Sequence, residues 1–308
     1  MRLIIDTDAG TDDAQAIMLA LTHPGVTVEA ITTVTGNIHV DKVVPNVLSV
    51  LELLHKNVPV YRGAERPLIA DWTPEEKVHG RDGLGDWAER PVCTRRAESE
   101  HAVQALLRLV NAAPGEYTLV ALGPLTNIAL AIQLDPSFPA KIKQFVFMGG
   151  TIQAMGNTIN PTAEWNIFCD PEAAFITLRA FPLATMLSWE TTMQHPMPWE
   201  QFNNLTQIQS AAARFMTATS RLTAEFLRSY QYAGYLLPDP LAMAVTLQPD
   251  LVRKSADHYV TVELSGTYTR GQTVIEYLPR PGHQPNVRIV QELNINSVYE
   301  LFKRALSG

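Results

Sequence analysis

The first 21 residues read Met1-Arg-Leu-Ile-Ile-Asp6-Thr-Asp8-Ala-Gly10-Thr-Asp12-Asp13-Ala-Gln-Ala-Ile-Met-Leu-Ala-Leu21. Residues 2–5 are a short apolar run that predicts a strand, and residues 14–21 carry apolar side chains through a helical period. The stretch therefore predicts a strand, a turn and a helix. Four aspartates fall in the connection: Asp6, Asp8, Asp12 and Asp13.

Such a cluster of carboxylates needs a compensating partner. Carboxylates this close repel one another in a low dielectric, and a cation, hydrogen-bond donors or water must offset the repulsion. Open α/β sheets bind their ligands beyond the carboxyl ends of the strands, where this turn would lie. Gly10 lets the backbone turn tightly enough for the carboxylates to converge. The simplest partner is a hard divalent metal ion.

The two later aspartates also have a purely structural interpretation. Asp12 and Asp13 could favour the positive end of the following helix, with Thr11 as its N-cap. That interpretation leaves Asp6 and Asp8, at the end of a buried strand, without a role. We therefore favour a binding site.

Length and composition predict one domain. A chain of 308 residues with 46% hydrophobic content can bury one large core, and residues 1–308 are expected to form a single α/β domain. The formal net charge of -7, without a cluster of Lys and Arg, argues against nucleic acid or an anionic membrane as a partner. A small neutral or cationic ligand fits this charge better.

The expected location is the cytoplasm. The chain goes straight into a strand without the regions of a signal peptide, and no apolar run approaches the ~18 residues that span a bilayer. Cys93 and Cys169 are too few and too far apart in sequence to suggest a disulfide framework or a zinc site.

Strands alternate with helices through roughly the first half of the chain. This order predicts an open, mostly parallel, Rossmann-like sheet flanked by helices. Alternating patterns at 258–264 and 287–293 predict a small antiparallel portion near the C-terminus, followed by a helix at 295–306. We also expect a helix that starts with Ser99 as N-cap, and one long amphipathic helix over 210–230.

Three further strand ends carry glycine or polar residues. They are Gly36-Asn37, Gly123-Pro124 and Gly149-Gly150. Four successive strand ends of this kind imply one shared cleft. Aspartates supplemented by a backbone carbonyl suit calcium, whereas magnesium prefers fewer protein ligands, and zinc is disfavoured because no His or Cys lies near the cluster in sequence.

At this point the chain resembles a known family. Asp6-Thr-Asp8-Ala-Gly10-Thr-Asp12-Asp13 is similar to the DxDxGxDD signature of the nucleoside hydrolases, which cleave the N-glycosidic bond of ribonucleosides. The likeness extends, in the family's order, through Thr33-Val-Thr-Gly36-Asn37, Val78-His79-Gly80, Leu122-Gly123-Pro124-Leu-Thr-Asn127, Met148-Gly149-Gly150, Ala163-Glu164-Trp165-Asn166, Asp170-Pro171-Glu172 and Asp239-Pro240.

The resemblance implies a calcium site and a ribose site. It implies one calcium ion per subunit, held by Asp8, Asp13, the backbone carbonyl of Leu122, and Asp239. Asp8 would also accept a proton from the attacking water. The residues implied to bind the nucleoside are Asp12, Asn37, Met148, Asn157, Glu164 and Asn166. Such carboxylates and amides would stabilise an oxocarbenium-like transition state and recognise the ribose hydroxyls. We also expect a homo-oligomer, either a dimer or a tetramer.

The leaving-group side departs from the family. Many members carry a histidine directly before the last calcium-binding aspartate, and here that position is Pro238. The resemblance leaves His79 as a donor to the departing base, and Tyr230, Tyr232 and Tyr235 are further candidates, of which we take Tyr232 forward. Trp87 and Trp165 are possible stacking surfaces.

Two other functions remain open from the sequence. A magnesium-dependent phosphatase could use Asp6 and Asp8 as nucleophile and acid, but it expects a hydroxyl residue at Gly10 and leaves Asp12, Asp13 and Asp239 unexplained. A nucleoside- or ribose-binding protein without catalysis is suggested by Pro238 alone.

Overall fold

The computed structural model describes residues 1–307. The strands in that range are β1 (Arg2–Thr7), β2 (Thr27–Thr33), β3 (Val60–Arg62), β4 (Tyr117–Ala121), β5 (Gln144–Met148), β6 (Ala184–Leu187), β7 (Met197–Pro198), β8 (Gly234–Tyr235), β9 (Val252–Val262), β10 (Thr273–Glu276) and β11 (Val287–Leu293).

The helices alternate with these strands through much of the chain. The α-helices are α1 (Thr11–Thr22), α2 (Val40–Leu53), α3 (Glu76–His79), α4 (Ala102–Ala112), α5 (Thr126–Leu134), α6 (Trp165–Cys169), α7 (Pro171–Ala180), α8 (Trp189–Gln194), α9 (Trp199–Thr206), α10 (Ala211–Thr219), α11 (Arg221–Ser229), α12 (Pro238–Leu247) and α13 (Ile295–Ser307). Two short 3₁₀ helices cover Phe138–Lys141 and Pro249–Leu251. Among residues 1–307, no helix combines the length and apolar character needed to cross a membrane.

A nine-stranded sheet forms the centre, in the order β10-β9-β11-β6-β5-β4-β1-β2-β3. The strands from β11 to β3 are parallel, whereas β9 pairs antiparallel with β11 and with β10 at one edge. The expected α/β class, with a mostly parallel sheet and a small antiparallel part near the C-terminus, is confirmed. β7 and β8 make a separate two-stranded sheet.

Strand β1 is apolar because both of its faces are buried. Leu3 and Ile5 pack into one core with helices α1, α2, α10, α12 and α13, and Ile4 points into the opposite core with α4, α5 and α7. A strand covered on both faces reads as a continuous apolar run rather than an alternation. Since β1 lies between β4 and β2, its carboxyl end, with the aspartates, is flanked by the ends of two parallel strands.

The expected single helix over 210–230 is wrong, because the chain breaks at Ser220 between α10 and α11. Tertiary contacts hold the break. The side-chain amide of Gln15 donates to Ser220 Oγ over 2.9 Å, and the hydroxyl of Thr11 donates to the carbonyl of Thr219 over 3.3 Å. No local periodicity reports these partners, because both belong to the first helix.

The expected N-cap at Ser99 is also wrong. The helix α4 begins at Ala102, and the ring of His101 accepts a hydrogen bond from Val103 N over 3.3 Å. The preceding chain is extended instead, because Glu98 bridges in parallel to Tyr61 in the edge strand β3. Pairing with the sheet has displaced the helix start.

Other element boundaries differ less. The N-cap of α1 is Gly10 rather than Thr11, with the Asp13 carboxylate accepting from the Gly10 amide over 2.8 Å. The strand β9 starts at Val252, ahead of the alternating segment, because its first half, from Val252 to His258, pairs with β11. Its hairpin partner β10 was not expected from the sequence.

Candidate active site

The carboxyl ends of the parallel strands surround one cavity of about 470 Å³. The expected site residues that line it are Asp12, Asn37, His79, Leu122, Met148, Asn157, Glu164, Asn166, Tyr232 and Asp239. Asp8 and Asp13 are fully buried and contact lining residues, since Asp8 bonds to Asn37 and Asp13 lies beside Asp12 and Asp239. The structure thus brings together side chains from turns that are far apart in sequence.

Carboxylates crowd at one point of this cavity. Asp12, Asp13 and Asp239 each offer an oxygen, and these oxygens lie within 4.8 Å of one another. Asp8 is not part of that trio, but the negative charge of Asp13 is near enough to raise the pKa of the Asp8 carboxyl. Asp239 reaches the cluster from the first turn of α12, directly after Pro238. Two distant segments therefore contribute to one acidic group.

Burial and mutual repulsion make this cluster costly when it is ionised. Burial, followed by the charge of Asp12, raises the pKa of Asp13 to about 7. The pKa values of Asp8 and Asp239 lie well above the usual range, first because of burial and then because of the neighbouring aspartates. A bound cation would remove the penalty by supplying the missing opposite charge.

Glycines leave the space that Asp8 occupies. A Cβ on Gly36 would lie 2.1 Å from Asp8 Oδ2, and a Cβ on Gly123 would lie 2.9 Å from Asp8 Cγ. With no side chains in the way, the backbones of two strand-end turns close around the carboxylate. Asn37 N donates to Asp8 Oδ2 over 2.6 Å. Asp8 Oδ1 has no hydrogen-bond partner although it is buried.

The remaining ligand candidates are held by their neighbours. The hydroxyl of Thr7 and the amide of Gly10 donate to the two carboxylate oxygens of Asp13. The carbonyl of Leu122 accepts from the side-chain amide of Asn166 over 2.8 Å, and its second lone pair is free for another partner.

These residues fit a hard divalent cation. The donor set is made only of carboxylate and carbonyl oxygens, and both Asp8 Oδ1 and Asp12 Oδ1 are buried without a hydrogen-bond partner. An ion that prefers oxygen ligands would satisfy both atoms and neutralise the cluster. No His or Cys belongs to the trio that approaches within 4.8 Å.

Asp6 supports the site from behind. Its Oδ1 accepts hydrogen bonds from Thr32 Oγ1 and from Asn127 Nδ2, and Asn127 also bonds to the backbones of Thr33 and Ala64. Asp6 therefore ties three strand ends together. A phosphatase would need Asp6 or Asp8 exposed to substrate as the nucleophile, and both side chains are fully buried.

Glu164 and Asn166 form a linked pair on one wall of the cavity. The Glu164 carboxylate caps α6 by accepting from the backbone N–H groups of Gly150, Asn166 and Ile167 over 2.8–3.2 Å. Burial raises the pKa of Glu164 to about 7 despite these three donors. Asn166 Nδ2 lies 3.4 Å from the sulfur of Met148, so the three side chains share one wall.

The contacts of His79 define which of its two ring nitrogens can act as a hydrogen-bond donor. Its Nδ1 accepts from Thr11 N over 3.2 Å, so a neutral ring carries its proton on Nε2. Nδ1 also lies 3.7 Å from Asp12 Oδ1. Gly10 is required here, because a Cβ would lie 2.6 Å from Nδ1 of His79.

The three tyrosines differ in surroundings. Tyr235 is buried, stacks on Phe202 at 4.2 Å, and its hydroxyl accepts from the side-chain amide of Gln15 over 3.2 Å. Tyr230 is 68% exposed, and Tyr232 is half-buried. All three tyrosines line the cavity, as do Trp165 and Pro238.

Trp87 does not line the cavity and packs edge-on against Phe215, as a loop anchor does. Several lining residues escaped the sequence reasoning because they come from α3 and its N-cap, from α8, from α11 and from the segment between β8 and α12. They are Glu75, Lys77, Trp189, Met193, Thr223, Phe226, Leu227 and Leu236. Thr223 Oγ1 bonds to the carbonyl of Val78, which joins α11 to α3 across the cavity. These residues are mostly aromatic or apolar, and no local sequence pattern distinguishes them from core residues, because only the fold brings them next to the polar wall of the cavity.

Comparison with known proteins agrees with this geometry. The family described as "Inosine-uridine preferring nucleoside hydrolase" matches residues 3–300, and the chain belongs to that family. The pyrimidine-specific ribonucleoside hydrolase RihB of Escherichia coli (strain SE11) is 32% identical over 308 residues, covering 100% of this chain and 97% of that protein. The chain is therefore a glycosidase-type hydrolase of ribonucleosides, as expected.

Solved structures give the same class with different printed preferences. An inosine-guanosine nucleoside hydrolase superimposes with a TM-score of 0.91 at 35% identity, covering 99% of this chain and 98% of that one. A purine-preferring ribonucleoside hydrolase from Gardnerella vaginalis gives 0.91 at 29% identity, with 100% and 98% coverage. Because these relatives differ in base preference, the family alone does not assign the base.

Proposed function

We propose that this chain hydrolyses the N-glycosidic bond of ribonucleosides to ribose and free base in a calcium-dependent reaction. The observation that carries the proposal is the buried aspartate cluster in a cavity that has a polar wall on one side and an aromatic wall on the other. We further propose that residues 1–308 act as one domain in a cytoplasmic homo-oligomer, a dimer or a tetramer.

The calcium ligands would be Asp8, Asp13, the Leu122 carbonyl and Asp239. Their oxygen-only chemistry and the orphaned Asp8 Oδ1 support this set. A bound calcium ion would orient a water molecule and make it more acidic. Asp12 belongs to the trio of close carboxylates, but it is the one member that is not fully buried. We therefore propose that Asp12 also contacts the sugar.

Asp8 is the proposed base. Asn37 N fixes Oδ2 over 2.6 Å, and Oδ1 has no protein partner, so one of its two lone pairs is open to the cation and the other to the proton of the water. The oxygen of water bonds to C1′ of ribose while the C1′–N bond breaks, and the electron pair of that bond leaves with the base. The proton from water goes to Asp8.

The ribose would lie against Asp12, Asn37, Asn157, Glu164 and Asn166, with Met148 packed on the sugar. The negatively charged carboxylates would stabilise the positive charge that develops on the ribose ring in the transition state. Buried amides and acids that pair with the ribose hydroxyls also discriminate against sugars that lack these hydroxyls. With such a sugar the protein groups would lose their water without gaining a hydrogen bond, which costs binding free energy.

The base would lie between α3 and α11. His79 Nε2–H and the Tyr232 hydroxyl are the proposed donors to the leaving base, since Pro238 has neither a donor nor a proton to give. Trp165 lines the cavity beside the ribose wall, whereas Trp87 stays outside it.

Release of ribose from inosine and from uridine, with calcium and with a chelator, tests the proposal. We expect both ribose and free base to appear, and the chelator to abolish them. Binding of nucleoside without ribose release would identify a binding protein instead. Turnover that is unchanged in the chelator would remove the calcium-dependent reaction.

A further inference from the structure

Glu190 holds a loop that leads into the cavity. Its side chain is buried, with 2% exposure, in the first turn of α8. Oε2 accepts from Ile152 N over 2.7 Å, and Oε1 accepts from Gln153 N over 2.8 Å and from Met155 N over 3.2 Å. Three successive parts of one loop thus bind a single carboxylate.

The loop backbone is shaped around this carboxylate. Ala154 has φ of +57°, a left-handed conformation that is energetically unfavourable for any residue with a Cβ atom. It stands between Gln153 and Met155, the two residues whose amides converge on Oε1. Amides that converge through such a turn form an anion-binding concavity. The charge-assisted hydrogen bonds that these amides donate to Glu190 offset both the strain at Ala154 and the burial of the carboxylate.

The same loop continues directly into Asn157. Gly156 N bonds to the Pro161 carbonyl over 2.7 Å, and Asn157 N bonds to the Ala163 carbonyl over 3.1 Å. Asn157 is therefore fixed on one side by the returning arm of the loop and on the other by Glu190. Met155, Gly156 and Asn157 all line the cavity, whereas Glu190 does not.

We infer that Glu190 is a positioning residue, which sets the ribose-binding geometry of Asn157 by accepting hydrogen bonds from backbone amides within residues 152–155. The inference rests on the function proposed above, because it assigns Asn157 to the sugar. Glu190 acts through the loop and touches neither substrate nor metal ligand. Glu164 and Tyr277 are its titratable neighbours.

The variant Glu190→Gln tests the inference. Its amide N–H₂ would face a backbone N–H where the carboxylate accepted a bond, so the loop loses charge-assisted bonds. We expect KM for a ribonucleoside to rise about tenfold while kcat stays within about threefold, the size of effect that one hydrogen bond to a charged group gives. A shift in kcat with unchanged KM would overturn the inference, as would unchanged kinetics well below the melting temperature.

A double-mutant cycle with Asn157→Ala tests whether Glu190 acts on substrate binding through Asn157. Once Asn157 is gone, Glu190→Gln should add little to KM. An equal rise of KM in both backgrounds would mean that Glu190 acts elsewhere. Glu263→Gln is the matched control, because the Glu263 carboxylate also holds a turn, through Ser265 N and Gly266 N, but lines no cavity. It should leave KM unchanged.

Hydrogen exchange separates this inference from the proposed function. In Glu190→Gln the amides of residues 152–155 should exchange at least about tenfold faster, with the core strands unchanged, whether or not the protein turns over a nucleoside. Unchanged exchange would overturn the inference in a fully active protein, and a wild type that releases no ribose would overturn the proposed function instead. If Glu190→Gln does not fold, Glu190→Asp keeps the charge, shortens the reach and serves for the same measurements.

Discussion

Asn37 donates its backbone N–H to Oδ2 of Asp8 over 2.6 Å, and this single bond orients the carboxylate so that Oδ1 remains without a partner. The bond joins the turn after β2 to the turn after β1. Because Asp8 is fully buried, a free oxygen at this place is costly unless a ligand uses it. The pair therefore connects the fold, through adjacent parallel strands, to the chemistry of the cavity.

Asp8→Asn should fold and lose most of its turnover. Asparagine keeps the shape and can still accept from Asn37, but it is not a base. Removing a general base costs roughly 10²- to 10⁴-fold in kcat. The measurement is kcat for inosine at saturating calcium, with the melting temperature as the control for folding. A rate near that of wild type would remove Asp8 from the role of base.

Gly36→Ala should damage the site through space alone. The new Cβ would lie 2.1 Å from Asp8 Oδ2, so the turn or the carboxylate must move. Overpacking of this kind costs about 1–3 kcal/mol in the free energy of unfolding. Urea unfolding and calcium affinity should both weaken. The matched control is Gly25→Ala, whose Cβ would meet only the ring of His23 at 3.4 Å; equal stability of the two variants would contradict the close approach.

Pro238→His tests the leaving-group side. Wild type should favour an activated nitrophenyl riboside over inosine and uridine, because no acid stands at position 238. The histidine should raise kcat for inosine or uridine by about tenfold, a fraction of what a well-placed acid contributes. Pro238→Ala controls for the loss of the proline at the start of α12. If the wild type turns over all three substrates equally and Pro238→His changes nothing, position 238 is irrelevant to base departure.

Glu164 should make stability depend on pH. Burial raises its pKa to about 7 from 4.5, so the folded state binds the proton more tightly than the unfolded chain does. This contribution is fully present below pH 4.5 and is lost as the pH rises through about 7. Relative to Glu164→Gln, the wild type should lose on the order of 1–3 kcal/mol between pH 5 and pH 8. A constant difference between the two unfolding free energies across that range would contradict the shift.

The sequence predicted what depends on local pattern. The class of sheet was predicted from the apolar run at 2–5 and the helix after Asp13. The edge of the sheet where the side chains meet was predicted from the glycine-bearing strand ends. The family resemblance supplied ligand roles that no spacing could assign, because Asp239 reaches the cluster only through the packing of α12 on α1.

What sequence reasoning missed depends on distant partners. The break at Ser220 follows from Gln15, and the start of α4 follows from the pairing of Glu98 with Tyr61. Glu190 sits in an ordinary short helix, and only the folded loop reveals three amides around its carboxylate. None of these relationships has a period that a local pattern could show.

Calcium titration of chelated protein, with ribose release measured in parallel, tests the central claim most directly. We expect activity to return in proportion to bound calcium, reaching its limit at one ion per chain, and Asp13→Ala to show neither binding nor recovery. Full activity in the chelated protein, or recovery with calcium that is undiminished in Asp13→Ala, would contradict the assignment of the aspartate cluster as the calcium site of the hydrolase.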